Sequence, residues 1–314
     1  MKNKVMKNVG VSVRDRLLRI ARERGEDYQL LLTRYALERL LYRLSGSQYR
    51  DQFILKGAML FTLWGRDTYR PTRDVDFLVF GENDAAGLIR VFRGLCELKV
   101  DDDGVIFVPE SVQAEPIRDE TAYGGIRIRL EARLAEARIP IQADIGFGDA
   151  ITPSPERIIY PTLLKSPAPK LRAYPRESVV SEKLEAMVSL GMANSRMKDF
   201  YDLRLLATRL DFDGPRLSRA IEATFERRRT PLPKEVPTAM TREFGEDRQK
   251  SAQWSAFLRR GSIADSGQDL VGICIFLHDF LWPPLRHLEE RETFQFLWPA
   301  SGPWLQKKRG KERK

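Results

Sequence analysis

The sequence predicts an α+β domain followed by a helical one, and three observations carry that reading. Up to about residue 165, apolar and polar side chains alternate in short runs bounded by glycine, proline and aspartate. Beyond a proline-rich passage, "PTLLKSPAPKLRAYPRE", apolar residues recur at helical spacing. A chain of 314 residues is long enough for two domains, each with its own core.

The elements follow in order. "SVRDRLLRIARERG" predicts a helix with Ser12 as cap and Gly25 as stop. A second helix, begun after Asp27, carries an apolar stripe at Leu31, Leu32, Tyr35, Ala36 and Leu40. This pair, residues 1–49, is expected to pack on the domain behind it. "FILKGAMLFTLWG" opens as a strand to Lys56, turns at Gly57 and runs on as a short helix to Gly65. The stretch "RPTRDVDFLVFG" predicts the next strand, and residues 84–98 an amphipathic helix in spite of two glycines. "GVIFV", "GGIRIRLEARL" and "RIPIQADIGFGD" predict further strands of a mixed sheet, giving a catalytic domain at 50–165.

The prolines from Pro161 onward read as a surface connection. "SVVSEKLEAMVSLGMA", "MKDFYDLRLLATRL" and "EDRQKSAQWSAFLRR" then predict helices of a domain at 166–300, interrupted by "TPLPKEVPTAM". "LVGICIFLHDFLWPPL" reads as a buried helix closed by two prolines, too short and polar to span a bilayer. Residues 301–314 form a basic tail.

Hydrophobic residues make up 42% and charged residues 31%, the composition of a soluble protein with a charge-rich surface. Cys96 and Cys274 stand far apart without metal-ligand spacing, which argues against a disulfide scaffold or a zinc site. The N-terminal segment lacks a signal peptide's apolar run, so a cytoplasmic protein with no membrane segment is expected. The net charge of +9 gathers at Arg227–Arg229 and in the tail from Lys307. Such clusters either keep a surface solvated or meet a polyanion such as nucleic acid.

Asp74 and Asp76 stand two apart on a strand, so both lie on one face, while Val75 and Phe77 point to the other. The strand "IPIQADIGFGD" has the same design, with Ile139, Ile141, Ala143 and Ile145 opposed to Gln142 and Asp144. If the strands are neighbours, three carboxylates converge on a hard, oxygen-rich site suited to Mg²⁺. The alternative is that these aspartates are turn residues at strand ends. "LKGAML" upstream is a small-residue turn whose bare amides can approach a phosphate. Neither a Walker-type loop nor a dinucleotide fingerprint is present. His278 and His287 read as structural, and the five tryptophans as core or interface.

In order along the chain, "LKGAMLF", "RPTRDVDF", "IQADIGFGD", "SEKLEAMV" and "RMKDFYDLRLL" resemble the AbiEii/AbiGii family of nucleotidyltransferase-like toxins, which includes the MenT toxins. The resemblance runs from about Asp27 to about Leu285. It implies a nucleotidyltransferase fold, Mg²⁺, an NTP donor and a cognate antitoxin that holds the toxin in check. By position, Lys56 and Gly57 match the lysine and the turn that face the nucleotide. Ala58 and Met59 replace the family's second glycine and threonine, which leaves only backbone amides there. Asp74, Asp76 and Asp144 match the metal-binding acids. Lys183 matches the lysine of the E-K-L segment, and Lys198, Asp199 and Asp202 match the K/R-D-x-x-D segment.

Lys183 suits a triphosphate as a point charge. Asp199 and Asp202, three apart on one helical face, offer a general base or pair with Arg196, Lys198 or Arg204 to pin the helix. The expected reaction is Mg²⁺-dependent transfer of NMP from an NTP to the 3′ end of tRNA, with pyrophosphate released, blocking translation, while the helical domain closes over the nucleotide. A protein or small-molecule acceptor, and a non-catalytic nucleotide- or nucleic-acid-binding module, are the alternatives.

Overall fold

The spine of the first unit is a mixed sheet whose central strands bury one face. The computed structural model describes residues 8–65, 72–80, 84–117, 124–149, 151–261, 263 and 269–307. The chain divides into two compact units, residues 1–148 with 156–173, and residues 149–155 with 174–314. Arg70, Pro71, Gly81 and the tail from residue 308 lie outside the described residues.

In the first unit, α1 (Val9–Arg24) and α2 (Tyr28–Gly46) precede β1 (Phe53–Lys56), a 3-10 turn (Ala58–Leu60), α3 (Phe61–Trp64), β2 (Asp74–Val79) and α4 (Ala85–Glu97). Then come β3 (Val105–Ile117), β4 (Gly125–Leu134), β5 (Ala137–Phe147), β6 (Glu156–Ile159) and β7 (Lys170–Ala173). The strands form one sheet in the order β3-β4-β5-β2-β1-β7-β6. It is mixed: β2 runs parallel to β5 and β1 parallel to β7, while the other neighbours are antiparallel.

Alternation explains its layers. Ile126, Ile128, Leu130, Ala132 and Leu134 on β4 and Ile139, Ile141, Ala143 and Ile145 on β5 are buried, leaving the polar residues of both strands on the opposite face. Phe53 on β1 meets Phe77 on β2 edge to face at 5.4 Å and Phe92 on α4 at 6.1 Å, which fixes α4 over the apolar side.

α1 begins four residues earlier than its sequence suggests. Asn8, not Ser12, is the cap, its side chain accepting from the Val11 N–H, while Gly25 ends the helix in the left-handed conformation. Asp27 caps α2 as expected, and Asp84, the first residue of the predicted fourth helix, caps α4. The proline-rich passage is not all connection: Lys170–Ala173 within it is β7, paired with both β1 and β6.

The second unit holds α5 (Arg176–Leu190), α6 (Met197–Arg209), β8 (Phe212–Asp213), α7 (Gly214–Arg228), α8 (Arg242–Glu246), α9 (Arg248–Arg260), α10 (Leu270–Glu289), β9 (Phe296–Trp298) and β10 (Leu305–Gln306). The last strands and β8 make a small second sheet, ordered β10-β9-β8. α10 does not stop at Pro283 and Pro284; it runs through both to Glu289. Pro284 has no N–H for the Phe280 carbonyl four residues back, and the Trp304 indole N–H supplies the missing donor at 2.9 Å. Among the described residues no helix is long and apolar enough to cross a membrane.

Candidate active site

Strand pairing brings the predicted acids of the first unit into one row. Lys56 on β1 is the register partner of Asp76 on β2, Asp76 that of Asp144 on β5, and Asp144 that of Arg127 on β4. Two residues along, Asp74 stands opposite Gln142, and Gln142 opposite Arg129. The polar face therefore reads cation, carboxylate, carboxylate, cation across four strands.

Adjacent strands lie about 5 Å apart, where two carboxylates repel by about 3 kcal/mol at an effective dielectric of 20. The flanking cations offset that repulsion. Arg127 donates from Nε to Asp144 Oδ1 at 2.9 Å and from Nη2 to Oδ2 at 2.8 Å, a bidentate pair. This pair pushes the Arg127 guanidinium pKa above its ordinary value. A Cβ added at Gly146 on β5 would lie 3.8 Å from Lys56 Nζ, which puts the ammonium on the same face as Asp144, two residues along that strand. Thr72 Oγ1 donates to Asp74 Oδ1 at 2.7 Å and steadies the other acid.

The turn after β1 is shaped around Asp76. Gly57 has φ 72° and ψ −157°, and a Cβ there would fall 1.8 Å from Asp76 Oδ2. The Asp76 carboxylate thus occupies the space that only a glycine leaves open. The Tyr160 hydroxyl donates to the Met59 carbonyl at 3.2 Å and anchors the turn from below.

The second unit gathers the later residues. Lys183 Nζ on α5 donates to Asp199 Oδ1 at 2.5 Å and lies 2.9 Å from Asp202 Oδ2, both on α6. Arg196 Nε donates to the other Asp199 oxygen at 2.7 Å. Asp199 is 0% exposed. Burial alone would raise its pKa, yet Lys183 and Arg196 outweigh burial and hold its carboxyl below the usual range. Lys198 is exposed at the surface of the same helix.

A family described as "Nucleotidyl transferase AbiEii toxin, Type IV TA system" matches residues 39–270. The chain belongs to the AbiEii family. It is accordingly a toxin-type nucleotidyltransferase enzyme, and membership of a type IV toxin–antitoxin family implies an antitoxin partner. No curated protein matches the chain. Two solved structures from Helicobacter pylori are similar in shape. JHP933 is 15% identical with a TM-score of 0.47, covering 84% of this chain and 95% of its own. A protein described provisionally as a nucleotidyltransferase is 15% identical with a TM-score of 0.49, covering 85% of this chain and all of its own.

For an AbiEii enzyme the first-unit row tests the fit to a metal. Among the described residues no group of three or more His, Cys, Asp or Glu side chains is arranged to hold an ion. Asp74 and Asp76 share the polar face of β2, and Asp144 beside them on β5 has both oxygens on Arg127. Mg²⁺ is commonly held by one or two carboxylates plus substrate phosphates, and the glycine-walled seat of Asp76 suits that arrangement.

Arg127 escapes a motif-based reading, since it looks like one more charge in an alternating strand. Its signal lies in "GGIRIRLEARL", where it shares the polar face with Arg129. The cradle also yields a prediction. Gly57→Ala is expected to displace the Asp76 carboxylate and lower kcat by about 10–100-fold, since misplacing a catalytic group by about an ångström costs that much. Steady-state kinetics beside a thermal melt check it; an unchanged kcat in a folded variant would contradict the cradle's role.

Proposed function

We propose that this AbiEii enzyme transfers NMP from an NTP to the 3′ end of tRNA with Mg²⁺, so blocking translation, and that its cognate antitoxin neutralises it. The observation that carries the reading is the in-register row of Lys56, Asp76 and Asp144 beside the Gly57 turn. Asp74 and Asp76 would hold Mg²⁺, which when bound polarises the α-phosphate and neutralises charge on the leaving group. Lys56, Gly57 and Ala58 face the donor's phosphates, and Arg127, bonded to both Asp144 oxygens, keeps that carboxylate oriented.

In the reaction the acceptor oxygen forms a bond to the α-phosphorus as the bond from that phosphorus to the bridging oxygen breaks. Pyrophosphate leaves with the electron pair, and the hydroxyl proton passes to a site carboxylate. Asp199, fully buried with both oxygens bonded, is assigned to holding Lys183 rather than to taking that proton. Asp202 shares that task. Lys183 on α5 and Lys198 on α6 keep the triphosphate-binding role that the family resemblance implies.

Incubation with Mg²⁺, bulk tRNA and each α-labelled NTP in turn tests the reading. Label is expected on intact tRNA with at least one NTP, and none on periodate-oxidised tRNA, whose 3′ diol is destroyed. Label that survives periodate oxidation would refute the 3′ assignment. Label on protein and none on RNA would replace tRNA with a protein acceptor.

A further inference from the structure

The polar face of the first unit's sheet continues past the carboxylates into a groove of about 570 Å³, walled by β3, β4 and β5. Its charged lining consists of Arg73, Arg129, Arg138 and Glu131, with Gln113 and Gln142 among the polar groups. We propose that this groove seats the phosphate-bearing strand of a nucleic-acid acceptor, leading its terminal hydroxyl towards Asp74. The inference rests on the nucleotidyltransferase reading above and deepens it by naming where the acceptor lies.

Charge is the first argument. Three guanidiniums face one carboxylate, and that carboxylate, Glu131, is already bonded to Arg133 at 2.7 Å. Arg73 and Arg138 have no ion pair among the described residues. Arg129 pairs with Glu115 at 2.8 Å, but the two side chains are 56% and 47% exposed. A pair that open to water is held weakly, so its guanidinium is readily exchanged to a phosphate. Guanidinium forks match phosphate oxygens two at a time.

Position is the second argument. Gln142, at the groove's inner end, is the register partner of Asp74. The donor-side residues Lys56 and Gly57 stand on the β1 side of the carboxylates, and the groove opens on the β5 side. Phosphoryl transfer needs attacking and leaving oxygens roughly in line, on opposite sides of the phosphorus. A donor seat and an acceptor seat flanking the carboxylates provide that opposition.

The probe is a fluorescein-labelled single-stranded RNA with a free 3′-hydroxyl, titrated with full-length protein over a range of salt. The variants are Arg129→Gln with Arg138→Gln, and Arg138→Glu alone; both positions are exposed, and a thermal melt confirms folding. Each phosphate contact contributes about 0.7 to the slope of log K against log salt for single strands, so the double variant should lose about 1.4 of slope. Its RNA affinity should fall at least about tenfold and its acceptor KM rise to match, with kcat and NTP binding held. RNA binding with an unaltered slope in the variants overturns the groove, as does a wild type that binds no RNA.

The two readings fail separately. An arginine-dependent slope without transfer from any NTP would refute the proposed reaction and keep the groove. Transfer to tRNA with an unchanged acceptor KM in the variants would do the reverse.

Discussion

Replacing Asp76 by asparagine is expected to lower nucleotide transfer by about 10³-fold or more, several kcal/mol of transition-state stabilisation, with little change in melting temperature. Asp76 is the centre of the row, with Lys56 on one side, Asp144 on the other and the Gly57 backbone against its carboxylate. Asparagine keeps the shape and removes the charge, so the β-strand and its apolar face on Val75 and Phe77 are untouched. A carboxamide cannot neutralise a divalent cation, and the fall should appear in kcat. Asp74→Asn should act in the same direction. Asp144→Asn tests a different link, because that acid is bonded to Arg127 and its loss frees a guanidinium beside the centre. A variant that keeps wild-type kcat at position 76 would remove the carboxylates from the chemistry.

The second large effect concerns stability. Lys183→Met is expected to destabilise the second unit by about 3–5 kcal/mol, because it removes the cation that two buried carboxylates share, leaving Asp199 only its bond to Arg196. In a domain of this size that lowers the melting temperature by roughly 10 °C. Lys183 is 14% exposed at its side chain, while Asp199 and Asp202 are 0% and 1% exposed, so little solvent screening softens the loss. Adding Asp199→Asn and Asp202→Asn to Lys183→Met should recover part of the loss, since no uncompensated charge is then buried. If Lys183 served the triphosphate alone, Lys183→Met would raise the KM for NTP and leave the melting temperature alone.

The same network sets a pH dependence. The Asp199 carboxyl is held below the usual range in the folded chain, so its contribution to stability is full above the unfolded value of about 4. It is lost as pH falls through the folded value, below about pH 4. Acid unfolding should therefore shift to higher pH in Lys183→Met, read by circular dichroism.

Alternation alone placed Asp74, Asp76 and Asp144 on polar faces, because the period of a strand is two and their neighbours are apolar. What it could not supply is register: that Asp76 sits opposite both Lys56 and Asp144 depends on β2 lying between β1 and β5, a pairing of strands distant in sequence. Arg127 was hidden for the same reason, since its partner is on another strand. On α6 the three-residue spacing put Asp199 and Asp202 on one face, but a cation reaching them from α5 is a tertiary fact. β7 was masked by the prolines that flank it. The run of α10 through two prolines was masked by its remedy, an indole donor twenty residues further along. Where local chemistry decides, at Asp27, Asp84 and Gly25, the boundaries were legible.

The central claim is that Asp74 and Asp76 run a nucleotidyl transfer beside the Gly57 turn. Pyrophosphate release from the four NTPs, in the presence of total RNA and with Mg²⁺ or a chelator, measures it for wild type and Asp76→Asn side by side. The expected result is release with wild type and Mg²⁺ only, matched by label entering an acceptor. Release that continues undiminished in Asp76→Asn, or that ignores the chelator, would contradict it.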